Sequence, residues 1–201
     1  MGIYQYRPTL ATGNLPQEME HIKSRGLLEH APDLVGSYAL TIRPMISKDH
    51  EQIRSLYIDS IKRNEKGFIQ NLSYHGDIVE LGQKMIDAGG DFAVTEHRGK
   101  IVGFGGLKPD EKEGAVELCK LHLLHSLQGV GIGKQMTKYL LLRAKQLGFT
   151  NCILHVTTSQ TAAIGLYKTL GFIEDKCEVW RGDICGKEES FECLFMHKNI
   201  S

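Results

Sequence analysis

The chain has little that would tie it to a cell exterior or a membrane. Its five cysteines, Cys119, Cys152, Cys177, Cys185 and Cys193, are odd in number and include no C-x-x-C pair. Neither a disulfide framework nor a zinc site is therefore expected; reduced thiols in the cytoplasm are. No run approaches the roughly 18 apolar residues of a membrane helix, and no basic start precedes an apolar core, so neither a span nor secretion is predicted. Charge of one sign is missing too. The 24 Lys plus Arg balance 24 Asp plus Glu, which leaves no overall field to recruit nucleic acid or an anionic membrane. Five prolines, 41% hydrophobic and 24% charged residues over 201 positions describe an ordinary globular chain with room for one sizeable core. There is no internal repeat.

What the sequence does have is three alternate glycines, in Leu127-Gln128-Gly129-Val130-Gly131-Ile132-Gly133-Lys134. They follow the apolar run Val116–Leu124, dense enough for a strand covered on both faces. They precede Met136, Leu140, Ala144 and Leu147, spaced as one helix face and closed by Gly148. A strand turning directly into a helix is expected. The first N–H groups of such a helix lack intrahelical partners and sit at the positive end of its dipole, so they form an anion site. Glycine removes each Cβ that would hold a phosphate away. Spacing excludes two common phosphate motifs. The dinucleotide fingerprint needs G-x-G-x-x-G, and the mononucleotide loop needs Ser or Thr after its Gly-Lys pair, where Gln135 stands. The alternative is a Gly-rich turn with no ligand.

Gln128-x-x-Gly131-x-Gly133 instead resembles the acyl-CoA pyrophosphate motif of the GNAT superfamily of N-acetyltransferases. Two further segments carry the resemblance: Ala163-Ile164-Gly165-Leu166-Tyr167-Lys168-Thr169-Leu170-Gly171-Phe172, similar to the family's A-x-x-x-Y-x-x-x-G-F, and Leu40-Thr41-Ile42-Arg43-Pro44, similar to its opening strand. The resemblance implies an α/β (α+β) fold, with a mixed, mostly antiparallel central sheet flanked by helices on both faces. It also implies acetyl-CoA as co-substrate, bound through Leu121, His122, Leu123, Gln128, Gly129, Val130, Gly131, Ile132, Gly133, Lys134 and Gln160. Gly129 and Val130 stand where relatives are frequently basic, so phosphate binding would lean on backbone N–H groups and Lys134. Gln160 stands where the family often has Asn.

Acetyl transfer from a thioester to an amine needs a neutral amine, a stabilised oxyanion and a protonated leaving thiol. An alkyl amine has a pKa near 10.4, so a base must take its proton. Glu117, eleven residues before Gln128, is the family-like candidate, acting directly or through water; a strand-end carboxylate in an ion pair is its structural alternative. His155 is the rival, with an ordinary pKa near 6.5 that suits proton relay. The family resemblance makes Tyr167 the general acid and has Leu123 offer backbone groups to the oxyanion. Cys119 is expected to be a buried thiol. Spacing puts His122 and His125 on opposite strand faces, so no metal is expected.

Residues 1–37 form an N-terminal extension, with a short helix expected after Asn14, and 38–201 the GNAT-like domain. The extension is an arm on the domain, a lid over the amine site or a homodimer contact. Helices are predicted over 47–62 and 77–88. The link between them holds Glu65, Phe68, Tyr74 and His75 as candidate acceptor contacts. Strands are expected over 92–97, 101–107 and 152–156, a helix over 162–170, and a closing hairpin of 177–181 and 191–197 around a 182–190 loop. The function expected is transfer of acetyl from acetyl-CoA to a small-molecule primary amine, directly in a ternary complex. The alternatives are a protein lysine or N-terminal acceptor, a non-catalytic acyl-CoA-binding module, and a nucleotide-phosphate binder.

Overall fold

The computed structural model describes residues 40–63, 76–184 and 187–201. The expected N-terminal helix and the candidates Glu65, Phe68, Tyr74 and His75 lie outside them. Seven strands form one sheet: β1 (Leu40–Pro44), β2 (Asp91–His97), β3 (Lys100–Pro109), β4 (Ala115–Leu123), β5 (Asn151–Thr157), β6 (Ile173–Ile184) and β7 (Lys187–Asn199). Their spatial order is β1-β2-β3-β4-β5-β7-β6, and every neighbouring pair is antiparallel except β4 with β5. The mixed, mostly antiparallel sheet expected from the sequence is what forms.

Helices α1 (His50–Arg63) and α2 (Ile78–Asp87) cover one face of β2–β4. The α1 stripe Ile53, Leu56, Tyr57 and Ile61 is buried at the predicted spacing. Asp77 caps α2 by accepting from the N–H groups of Val79 and Glu80, and its other oxygen takes Arg54 Nε of α1 at 2.6 Å. Helices α3 (Ile132–Gln146) and α4 (Thr161–Thr169) cover the opposite face. The parallel pair β4 and β5 needs a crossover, and α3 supplies it. Met136, Leu140 and Ala144 of α3 are fully buried, whereas Leu147 is the helix's C-cap and lies exposed. Gly148, at φ 91°, then turns the chain out of the helix.

Two expectations are corrected. The strand does not pass directly into the helix: a 3-10 turn, His125–Leu127, intervenes. The closing hairpin has no 182–190 loop, because β6 and β7 stay paired out to Ile184 and Lys187. The expected strand over 152–156 forms with burial on one face: Cys152, Leu154 and Val156 are buried while Ile153, His155 and Thr157 are not.

Candidate functional site

β4 and β5 are hydrogen-bonded only at Ala115, Val116 and Glu117, opposite Asn151, Cys152 and Ile153. Two features end the pairing there. Lys120 takes φ 54°, and the β3–β4 register slips so that Phe104 faces His122 and Gly106 faces Cys119. This bulge inserts an extra residue, bends β4 and turns it from β5. Beyond Glu117 the β5-facing backbone groups of β4, which include those in the Leu121–Leu123 stretch, are left unpaired by β5. The sheet opens between Glu117 on β4 and the glycine loop that follows β4.

At the top of the opening sits the glycine loop. Gly129 (φ 78°) and Gly131 (φ 89°) hold left-handed conformations that a side chain disfavours. Between them Val130, with Ile132 and Leu127, is buried in a small cluster with Val102. The loop alternates: apolar side chains point inward as anchors, while Gly129 and Gly131 remain exposed. Val130 and Ile132 can therefore meet a ligand only through their backbones. Gly131 is the N-cap of α3, the first helical bond runs from Gln135 N–H to Gly131 C=O, and no acidic side chain stands in the first turn. The earlier N–H groups are consequently available to an anion. A Cβ on Gly133 would come within 3.3 Å of Leu123 Cδ1 and 3.5 Å of Leu166 Cδ2, so its glycine permits close helix–strand packing. Lys134 and Gln128 are exposed beside the loop. Gln160 is the N-cap of α4, and its N–H donates to Thr157 C=O at 2.9 Å.

Tyr167 lies on the α3–α4 face, edge-on to Phe172 at 5.7 Å. Burial, then the nearby thiols of Cys152 and Cys119, push its phenol up to about 12. It keeps its proton at neutral pH, as a general acid must. Cys119 is likewise pushed up to about 12, by burial and then by Glu117, which makes it an inert thiol rather than a nucleophile.

Glu117 and His155 lie on the other face, where α1 and α2 do not reach β5. Offered by the sequence as rivals, they are neighbours: Glu117 Oε1 is 3.5 Å from His155 Nδ1, and Glu117 Oε2 is 3.9 Å from Lys108 Nζ. The ion-pair reading of Glu117 and the proton-handling one thus describe the same geometry. Phe195, opposite His155 on β7, packs on its ring at 4.3 Å, and Lys176 lies over Phe195 at 4.7 Å. Neither Phe195 nor Lys108 carries a signal at the level of sequence; both arrive through strand register.

The His122 side chain points into the α1 face of the sheet. It is buried against Tyr57 and Phe104, and its Nδ1 is 2.8 Å from Ser60 Oγ. That contact ties α1 to β4 just past the bulge, and only the His122 backbone is left facing the opening. Among the described residues no cluster of three or more metal-ligating side chains occurs, and no helix is long and apolar enough to cross a membrane.

An α/β fold with an anion-ready loop at a split sheet, a buried phenol on one side and a carboxylate–imidazole pair on the other, is the frame of a group-transfer protein. The model of the acetyltransferase (GNAT) family matches residues 51–172, and the chain belongs to that family. It is 34% identical over 98 residues to the uncharacterized N-acetyltransferase YjgM of Escherichia coli, covering 48% of this chain and 59% of that one. To N-acetyltransferase family 8 member 3 of Mus musculus it is 33% identical over 104 residues, covering 49% and 46%. It thus spans about half the length of these curated relatives. An N-acetyltransferase structure from Staphylococcus aureus superposes with TM-score 0.69 at 17% identity, over 81% of this chain and 99% of that one. A putative acetyltransferase from Salmonella typhimurium, solved with acetyl-CoA, superposes with TM-score 0.64 at 19% identity, over 81% and 94%. These two likenesses show the fold.

Proposed function

We propose that the chain is an N-acetyltransferase that moves acetyl from acetyl-CoA to the primary amine of a small molecule, directly and in a ternary complex. What supports this reading is the opening between β4 and β5 beyond Glu117, with the anion-ready loop following β4, Tyr167 on the α3–α4 face and the Glu117–His155 pair on the other. Exposed and half-buried thiols at Cys177, Cys119 and Cys193 support a reducing compartment, the cytoplasm. Residues 38–201 are assigned to the transferase domain, and the extension 1–37 lies outside the described residues.

The residues present fit the co-substrate. The N–H groups of Ile132, Gly133 and Lys134, with Gly129 and Gly131 open in front, suit a pyrophosphate, and Lys134 and Gln128 flank it. The backbones of Leu121, His122 and Leu123 suit the pantetheine chain, and Leu123 also suits the oxyanion; Gln160 reaches the same arm. Bound acetyl-CoA supplies the thioester carbon and a good leaving thiol. Tyr167 holds the proton that a departing thiolate needs, and the Glu117–His155 pair handles the proton of the amine.

Melting is measured with acetyl-CoA, free coenzyme A, ATP and NAD in parallel, followed by thiol release against a panel of primary amines. A ligand that binds only the folded state at a hundredfold excess over Kd adds about 2.7 kcal/mol. A rise confined to the two CoA species, then turnover with a panel amine, supports the reading; no rise with either CoA species overturns it. The half-face of β5, β7 and β6 that α1 and α2 leave open favours a second reading, a protein lysine or N-terminus as acceptor. A lysine-containing peptide in the same panel separates the two.

A further inference from the structure

We infer that Glu117 and His155 are one unit, in which His155 takes the proton of the acceptor amine and Glu117 positions the imidazole through Nδ1. This rests on the transferase reading and divides the work between two residues that the sequence left as alternatives. Three observations assign the roles. His155 is the outer member, its side chain 42% exposed against 20% for Glu117. Both Glu117 oxygens are turned to positive or proton-donating groups, Oε1 to His155 Nδ1 and Oε2 to Lys108 Nζ. Phe195 packs against the imidazole and fixes its plane. With Nδ1 turned to the carboxylate, Nε2 is the nitrogen left for substrate. The charged groups around His155 are Glu117 on β4, Lys108 behind it on β3, and Lys176 of β6 across Phe195.

The step balances simply. The N–H bond of the acceptor ammonium breaks, the proton passes to Nε2 of neutral His155, and the electron pair stays on the amine nitrogen as the nucleophile. The imidazolium is held against the Glu117 carboxylate and returns its proton to water from its exposed edge. An imidazole is the better base near neutral pH, because its ordinary pKa is close to 6.5 and that of glutamate close to 4.3.

His155→Gln and Glu117→Gln are compared with the wild type on the best amine of the panel and on hydroxylamine, which is already unprotonated at neutral pH. His155→Gln is expected to lower kcat/KM for the alkyl amine by about 10²-fold or more. Hydroxylamine turnover and the melting rise with acetyl-CoA should be nearly unchanged. Glu117→Gln should give a smaller loss, and in its 15N NMR spectrum the neutral His155 imidazole should lose its preference for carrying the hydrogen on Nδ1, since the carboxylate that accepts it is gone. Equal losses on both amines would mean a structural role and overturn the proposal. So would full activity of His155→Gln, or a His155 tautomer that Glu117→Gln does not change. If the wild type binds acetyl-CoA and acetylates nothing, the transferase reading fails, and the tautomer still decides whether Glu117 orients the imidazole.

Discussion

The two halves of the sheet are built differently. In β2 nearly every residue is buried, and Phe92, Ala93 and Val94 have no exposed surface at all, because helices lie on both faces. In β5 burial alternates residue by residue, because α3 and α4 cover one face and no described helix covers the other. Two-sided cover makes a strand apolar throughout; one-sided cover frees every second position for polar side chains. Glu117 sits at the seam, on the last residue of β4 still paired to β5, and His155 is two residues up the open face. On the function proposed, the first half is scaffold and the second holds the proton-handling pair, so substitutions in each should separate stability from turnover.

The largest separation is expected at Tyr167, whose ring belongs to the core. Tyr167→Phe keeps the ring and should lower kcat by about 10² to 10⁴-fold, with melting and acetyl-CoA affinity little changed. Because burial pushes the phenol up to about 12, the wild-type kcat profile should show no alkaline fall near pH 10, where a free tyrosine would ionise. A fall there, or an unchanged kcat in the variant, would remove Tyr167 from the chemistry.

Next come two phenylalanines, one in each half. Phe92 is fully buried and stacked on Phe104 at 5.6 Å, so Phe92→Ala should cost about 3–5 kcal/mol in denaturant unfolding. Phe191 is half-buried on the outer ribbon of β6 and β7, stacked on Trp180. Phe191→Ala should cost about 1 kcal/mol, since only part of its ring leaves water. Similar costs would mean the outer half is as deeply covered as the inner one, and the contrast between the halves would fail.

A third test concerns acid. Burial pushes the Asp49 carboxyl up, but the Arg43 guanidinium, bonding both its oxygens, and the Ile46 N–H outweigh that and hold it below the usual range. A depressed carboxyl contributes stability that is present above its unfolded pKa, near 3.9, and lost as pH falls through the folded value. Wild-type melting should therefore drop more steeply below pH 4 than that of Asp49→Asn, which starts lower and is flatter. Parallel curves would show that this link between β1 and the turn before α1 contributes nothing through its charge.

What the sequence made legible divides along the same line. The glycine loop, the α3 stripe and the Tyr167 segment are local: their residues are near neighbours, and spacing alone predicts their geometry. The contact between Glu117 and His155 is not, because it depends on the parallel register that pairs Glu117 with Ile153 across the α3 crossover. The turn His125–Leu127 escaped because a single 3-10 turn has no apolar period to detect. The far ends of β6 and β7 escaped because, past the Trp180–Phe191 pair, Arg181, Glu188, Glu189 and Ser190 are polar in succession, which removes the alternation that marks a strand.

The smallest effects belong to the loop, where they decide what holds the phosphate. Gly131 at φ 89° is the N-cap of α3, and Gly131→Ala should cost about 1–2 kcal/mol of stability through the disfavoured backbone. It should also weaken acetyl-CoA binding, because relief of that strain re-aims the first N–H groups. Lys134 is exposed in the first turn of the same helix, and its charge acts through solvent. Lys134→Ala should therefore weaken acetyl-CoA by only about 0.3–1 kcal/mol, roughly two- to fivefold, at low ionic strength. The difference should fade as salt rises and the Debye length shrinks from about 30 Å at 0.01 M towards about 3 Å at 1 M. Binding titrations at both salt concentrations give the answer. If Lys134→Ala abolishes binding while Gly131→Ala leaves it intact, side-chain charge holds the co-substrate and the glycines only turn the chain. If the order is reversed, the backbone is the site, and the loop holds a phosphate without basic side chains at positions 129 and 130.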